Sequence, residues 1–267
     1  MASEKIKRIR KLAQYAQISS TFIVLLILWQ VGVKILDVKA YILPPPTQIV
    51  LELFNSWDQI YAHALITASE ILIGFFLSIL IGIPMALAIS FSRFFQRTLY
   101  PVLVFFQLIP KIALAPLFII WFGFGMFPKV LITFLLSFFP VVIDSIVGFT
   151  SLHIEAVYLA RSMGASNKDF FFKVQLPNAL PNIFAGIKMA MAFSTVGAVV
   201  GEFVGSSEGL GYLLLVANGD LNTQLLFACL LVLSTIGLIF YYIIELIEKV
   251  SIPWHISKRP LEGGATL

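Results

Sequence analysis

Residues 160–177 read ARSMGASNKDFFFKVQLP, a charged, helix-breaking island between stretches that are almost wholly apolar. The stretches around it decide the fold class. A helix needs about 20 apolar residues to cross about 30 Å of hydrocarbon, and uncharged runs of that order occupy residues 12–33, 71–91 and 221–244. Three more runs carry one or two ionisable residues: 99–127 with Lys111, 130–152 with Asp144, and 181–204 with Lys188 and Glu202. The expected fold is therefore all-α, a polytopic membrane protein with six transmembrane helices in one domain spanning residues 1–267. The spans are placed at about 14–36, 66–91, 98–122, 129–150, 181–204 and 222–248. A mean hydropathy of +0.96 agrees, as does a charged fraction of 12%, about half that of a soluble domain.

Lys and Arg flanking the spans set the orientation, because positive residues are retained on the cytoplasmic side. With the N-terminus inside, that side holds thirteen: Lys5, Lys7, Arg8, Arg10, Lys11, Arg93, Arg97, Arg161, Lys168, Lys173, Lys249, Lys258 and Arg259. The outer side holds Lys34, Lys39 and Lys129. Both termini and the island, within a loop at 151–180, are expected in the cytoplasm, and segments 39–65 and 205–221 outside. The net charge of +4 follows from this asymmetry and calls for no nucleic-acid partner. The basic start followed by a long apolar run is expected to stay as the first span, since no small-x-small cleavage site follows it. Cys229, the single cysteine, forms no internal disulfide.

Pro44, Pro45 and Pro46 make a stiff extended stretch, and Val50, Leu53, Phe54 and Trp57 then recur at helical spacing, predicting a short amphipathic helix on the outer surface. Small residues repeat every fourth position at Gly74, Ser78, Gly82, Ala86 and Ser90, and again at Gly197, Gly201 and Gly205. Such stripes let membrane helices approach closely. Pro84, Pro101, Pro110, Pro116 and Pro140 predict bends in the middle spans. Residues 206–219, SSEGLGYLLLVANG, are too short to cross and are expected to form a re-entrant or lid-like helix.

Within the island, residues 153–163 read as a helix, Gly164 as the left-handed residue past its end, and Ser166 with Asp169 as the capped start of a second helix. Phe170, Phe171, Phe172 and Val174 are expected to pin this corner to the bundle. Leu176 and Pro177 are expected to stop the second helix before the fifth span starts at Pro181.

The island resembles the cytoplasmic coupling loop of permease subunits of ATP-binding-cassette (ABC) importers, the binding-protein-dependent transport family. That motif runs from an acidic residue and two alanines, over three residues to a glycine, then over nine to Ile-x-Leu-Pro. Gly164, Val174, Leu176 and Pro177 fall at the matching intervals. The acidic start departs: its register lands on Tyr158, Leu159 and Ala160, with Glu155 about one turn earlier. Further stretches narrow the resemblance to the nitrate, sulfonate and taurine branch, which also takes thiamin-pyrimidine or riboflavin-like compounds. They are YILPPPTQI, IPKIALAPLFIIWFGFG, ARSMGAS, LPNALPNIFAGIKMA, GAVVGEFVGSSEGLGYLL and the closing PWH at 253–255.

The resemblance implies a type I importer permease in a bacterial inner membrane, pairing with a second permease copy, two cytoplasmic ATPase subunits and an external solute-binding protein. Glu155, Tyr158, Ala160, Gly164, Ala165, Val174, Leu176 and Pro177 would couple to the ATPase. ATP and Mg would sit at that partner, with no cofactor on this chain. Independently, the sequence has no Gly-Lys dipeptide and so no phosphate-cradling P-loop.

Ionisable residues inside spans are the candidates for a translocation path: Lys111, Lys188 and Glu202. Lys188 and Glu202 lie fourteen residues apart, about 21 Å along a helix axis, and cannot pair with each other. Snorkelling of Lys188 and a structural hydrogen bond for Glu202 are the alternatives. His63, His153 and His255 lack metal-ligand spacing. The chain is read as a transporter subunit, not an enzyme. The competing classes are an ion-coupled secondary transporter, which would need coupling residues near the midplane, and an intramembrane enzyme, which would need paired acids or a Ser/His pair.

Overall fold

The computed structural model describes the backbone of residues 2–254 and the side chains of residue 17 and of residues 19–254. Every regular element among the described residues is helical. Eleven α-helices follow in order: α1 Ala2–Ile35, α2 Pro46–Asn55, α3 Trp57–Phe91, α4 Arg93–Leu108, α5 Ala115–Phe122, α6 Met126–Thr150, α7 Ile154–Ser162, α8 Asn167–Phe170, α9 Leu176–Gly205, α10 Leu210–Gly219 and α11 Thr223–Ser251. A 3₁₀ turn, Lys111–Leu114, precedes α5, and a π turn, Phe171–Gln175, joins α8 to α9.

Four helices are long and apolar enough to cross a bilayer: Trp57–Phe91, Met126–Thr150, Asn167–Gly205 and Thr223–Ser251. A fifth crossing exists if the bent pair Arg93–Leu108 and Lys111–Phe122 counts as one span. The first expected span falls in α1, whose described apolar part, Ser19–Ile35, is shorter. The described residues therefore carry four or five such spans rather than the six expected.

The chain divides into two compact units. In one, which combines the N-terminal residues through His63 with 213–232, α1 and the start of α2 share a side-chain hydrogen-bond pair. Gln30 Nε2 donates to Thr47 Oγ1, and its Oε1 accepts the Thr47 amide, each at 3.2 Å. Trp29 packs on Phe227 with ring centroids 5.7 Å apart, and Thr223 Oγ1 donates to the Tyr41 carbonyl at 2.6 Å. The expected amphipathic helix is α2. Pro45 and Pro46 start it because a proline at the first position gives up an amide the helix does not use.

In the other unit, Ala64–Tyr212 with 233 onward, α6 is the central rod. Ile71 and Phe75 of α3, Val141 of α6, Ala190, Met191 and Ala198 of α9, and Ile244 of α11 form one buried cluster. Lipid supplies no hydrophobic drive between helices, so close backbone approach carries the association. Gly74 and Gly82 of one stripe and Gly197 and Gly201 of the other face α6, while Gly205 lies against Ile119 and Phe124. A Cβ on Gly74 would stand 2.6 Å from Thr133 Cβ, and one on Gly197 would stand 2.6 Å from Thr133 Cα. Thr133 is thus gripped from both sides.

The prolines act unequally. Pro110 breaks the third span into helices bent by 84°: it has no amide to donate, and it drives Ile109 to an extended φ −67°, ψ 132°. Pro84, Pro101 and Pro140 lie inside uninterrupted helices, and Pro116 sits in the first turn of α5, where no amide is needed.

The expected stop at Leu176 and Pro177 is corrected. Helix continues from Asn167 to Gly205 over 39 residues. The π turn is the reason: the Leu176 amide reaches back five residues to the Phe171 carbonyl, shifting the ladder so that the missing Pro177 amide falls at the change of register.

Candidate functional site

The corner at Gly164 is built by short-range hydrogen bonds. Past α7, the Ala165 amide bonds the Ala160 carbonyl at 3.1 Å and the Gly164 amide bonds Arg161 at 3.0 Å, the two bonds of a Schellman cap. Gly164 has φ +76°, a conformation side chains resist, while a Cβ there would meet nothing within 4 Å. Its glycine is required by backbone geometry alone. Ser166 Oγ then accepts the Asp169 amide at 3.1 Å and donates to Asp169 Oδ2 at 2.6 Å. Lys173 pairs with Asp169 at 2.7 Å. The Lys173 hydrogen bond, with that of Ser166, holds the Asp169 carboxyl below its ordinary range. Arg161 Nη1 spans the corner to Asn167 Oδ1 at 2.7 Å and lies over the Phe170 ring.

Around this corner, Ile154, Tyr158, Leu159 and Met163 are exposed along two adjacent i, i+4 rows of α7. Glu155 is exposed in its first turn, Ala160 is buried, and Ala165, Val174, Leu176 and Pro177 are partly covered. Of the three phenylalanines expected to pin the corner, Phe171 does so, packing on Phe91 and Phe149. Phe172 is 64% exposed instead. Gln175 Nε2 donates to the Phe149 carbonyl at 3.0 Å, tying the π turn to the end of α6.

A second polar cluster surrounds Glu202. Its carboxylate accepts Thr67 Oγ1 at 2.6 Å and the Gly211 amide, and the Leu210 amide donates to Thr67 Oγ1 at 2.7 Å. Lys129 pairs with Glu70 and donates to Ser206 Oγ at 3.1 Å. Glu70 and Glu202 are fully buried. Segment 206–211 is thereby clasped to α3, α6 and α9. A Cβ on Gly209 or Gly211 would run into the Glu202 carboxylate, which explains glycine at both positions.

Lys188 Nζ meets Glu248 Oε2 at 2.6 Å, with the two side chains 17% and 13% exposed. This pair lines a cavity of about 620 Å³ together with Ser151, Asn178, Asn182 and Trp254. Lys111 Nζ donates to the Gln107 carbonyl at 2.9 Å and stands 4.5 Å from the Phe139 ring centroid.

The profile of the family described as binding-protein-dependent transport system inner membrane component matches residues 78–250. The chain belongs to that family. This permease is 39% identical over 222 residues to a probable ABC transporter permease protein of Haemophilus influenzae, covering 83% of this chain and 91% of that one. It is 33% identical over 234 residues to the formylaminopyrimidine transport permease protein ThiX of Halalkalibacterium halodurans, covering 87% and 93%. Among solved structures, the inward-facing MetNI methionine ABC transporter is similar in fold, with a TM-score of 0.55 at 18% identity, covering 75% of this chain and 97% of that one. The chain is thus a multi-pass membrane permease of an ABC importer, a transport subunit rather than an enzyme.

The residues expected to couple to an ATPase gather around the Gly164 corner, but the three path candidates do not come together. Glu202 is enclosed in the clasp, Lys188 lines the Lys188–Glu248 cavity, and Lys111 lies at the broken third span. Sequence reading passed over Glu70 and Glu248. Each was detectable as an ionisable residue inside an expected span, 66–91 and 222–248. Lys129, counted with the outer loops, is an ion-pair partner 7% exposed. Asp144 is half-buried beside Gly186, where a Cβ would stand 2.8 Å from its own. Among the described residues no group of His, Cys, Asp and Glu is placed to hold a metal. His255 lies outside the described residues.

Proposed function

We propose that this permease pairs with a second copy of itself and carries a small solute inward, with the Gly164 corner as the seat of a separate cytoplasmic ATPase. The observation that carries the reading is that corner: hydrogen bonds close it on both sides, and it presents Tyr158, Leu159 and Met163 outward. Glu155, in the first turn of α7, stands in for the acidic residue missing at Tyr158. Ala160, Ala165, Val174, Leu176 and Pro177 hold the shape from beneath.

Because α8 runs through the π turn into α9, a push on the corner reaches the bundle through a continuous rod. ATP and Mg belong to the partner, whose closure would switch the bundle between two rigid-body arrangements. The excess of Lys and Arg on one side supports cytoplasmic termini. An external solute-binding protein delivers the solute, either a sulfonate-like anion or a nitrogen heterocycle of the kind named for one relative. Lys188 and Lys111 are the path candidates, and Glu202 is assigned to the clasp.

Replacing Gly164 by Val tests this. A β-branched residue at that φ costs about 1–3 kcal/mol and meets no neighbour, so membrane insertion stays intact while co-purification with the ATPase drops. Undiminished co-purification would refute the docking role.

A further inference from the structure

The cavity between the start of α9 and the end of α11 has features that packing alone does not require. At about 620 Å³ it lies within the range of small-molecule sites, about 300–1,000 Å³. Its lining brings together an ion pair, two carboxamides and an indole. Among the described residues several of these groups have hydrogen-bonding capacity to spare. Glu248 uses Oε2 for Lys188, and its Oε1 accepts nothing; the Asn182 carboxamide makes no hydrogen bond; Asn178 makes one, to Ser151 Oγ at 3.3 Å. Trp254 is 58% exposed and offers a ring face.

We propose that this cavity is a solute site for an amino-substituted nitrogen heterocycle, recognised by Glu248 and Asn182 and stacked on Trp254. The inference rests on reading the chain as an importer of a small solute, and it chooses between the two solute classes. A carboxylate oxygen accepts from an exocyclic amine, and a carboxamide donates to the adjacent ring nitrogen while accepting from the same amine. That is the pairing by which Asn reads an adenine edge. The indole face adds ring stacking. A sulfonate fits poorly: among the described residues the one cation lining the cavity, Lys188, is already neutralised at 2.6 Å, and Glu248 repels a second anion.

The test is equilibrium dialysis of labelled 4-amino-2-methylpyrimidine against the full permease–ATPase complex in lipid nanodiscs, without the binding protein. Saturable binding that taurine does not displace is expected. Asn182→Ala and Trp254→Ala should each weaken it about tenfold, the loss expected for one good hydrogen bond or stacked ring, and Glu248→Gln at least as much. Trp254 is exposed, so its variant keeps the fold. Absence of saturable binding, equal binding by all three variants, or displacement by taurine would overturn the site. ATP-driven uptake into vesicles with the binding protein present separates the two readings. Aminopyrimidine uptake unaffected by the three substitutions removes the site and leaves the importer standing; absence of ATP-dependent uptake of either probe removes the importer, while the dialysis result still decides the site.

Discussion

Gly211→Ala probes the clasp with a single methyl group. The added Cβ would lie 2.7 Å from Glu202 Oε2, 2.9 Å from Glu202 Cβ and 3.0 Å from the Val199 carbonyl oxygen. Two of these atoms belong to a side chain already held by Thr67, and the third is helix backbone, so the carboxylate must move away from the Gly211 amide. Leaving a buried polar group without its hydrogen bond costs about 1–3 kcal/mol. For a chain of this size each kcal/mol lowers Tm by about 2–4 °C, giving an expected drop of about 2–12 °C in purified permease. Gly219→Ala is the control, because a Cβ there meets nothing within 4 Å; it should melt with the wild type. In a Glu202→Ala background the Gly211→Ala penalty should largely vanish, since neighbouring changes that act through one contact do not add. A Gly211→Ala protein melting within about 1 °C of wild type, or a penalty unchanged without Glu202, would refute the clasp.

Other outcomes follow from the same contacts. Lys188→Met leaves Glu248 largely covered and without its ion-pair partner; thermal unfolding should show a loss of about 2 kcal/mol, discounted for partial exposure, and the Lys188→Glu/Glu248→Lys exchange should recover most of it. The Asp169 carboxyl is held below its ordinary value of 3.8 by Lys173 and Ser166. Its contribution to the cap is therefore complete above that value and disappears as pH falls through the lowered one. Amide exchange over α8 should speed up in that acid range, and Asp169→Asn should remove the dependence.

Much of the Gly164 corner was legible because its bonds are local. Gly164 ends α7 at a left-handed φ, and Ser166 caps α8 through Asp169, three residues on. Such short spacings are visible in any sequence. The small-residue stripes at Gly74 and Gly197 likewise announced close packing, although not that both would close on Thr133. The continuous passage through Pro177 was not legible: a proline there reads as a stop, and only a π turn changes the register to allow it.

The sequence by itself determined that this chain is a bundle of membrane helices with one polar elbow, because the length of apolar runs and the placing of glycine, serine and proline act over a few residues. Tertiary structure alone decided the partners of the charges. Lys129 meets Glu70, Glu202 meets Thr67 and Gly211, and Lys188 meets Glu248. In a low-dielectric interior a charge must find a partner wherever the packing brings one, and most of these partners arrive from helices far apart in the chain, at depths and rotations that no linear spacing encodes.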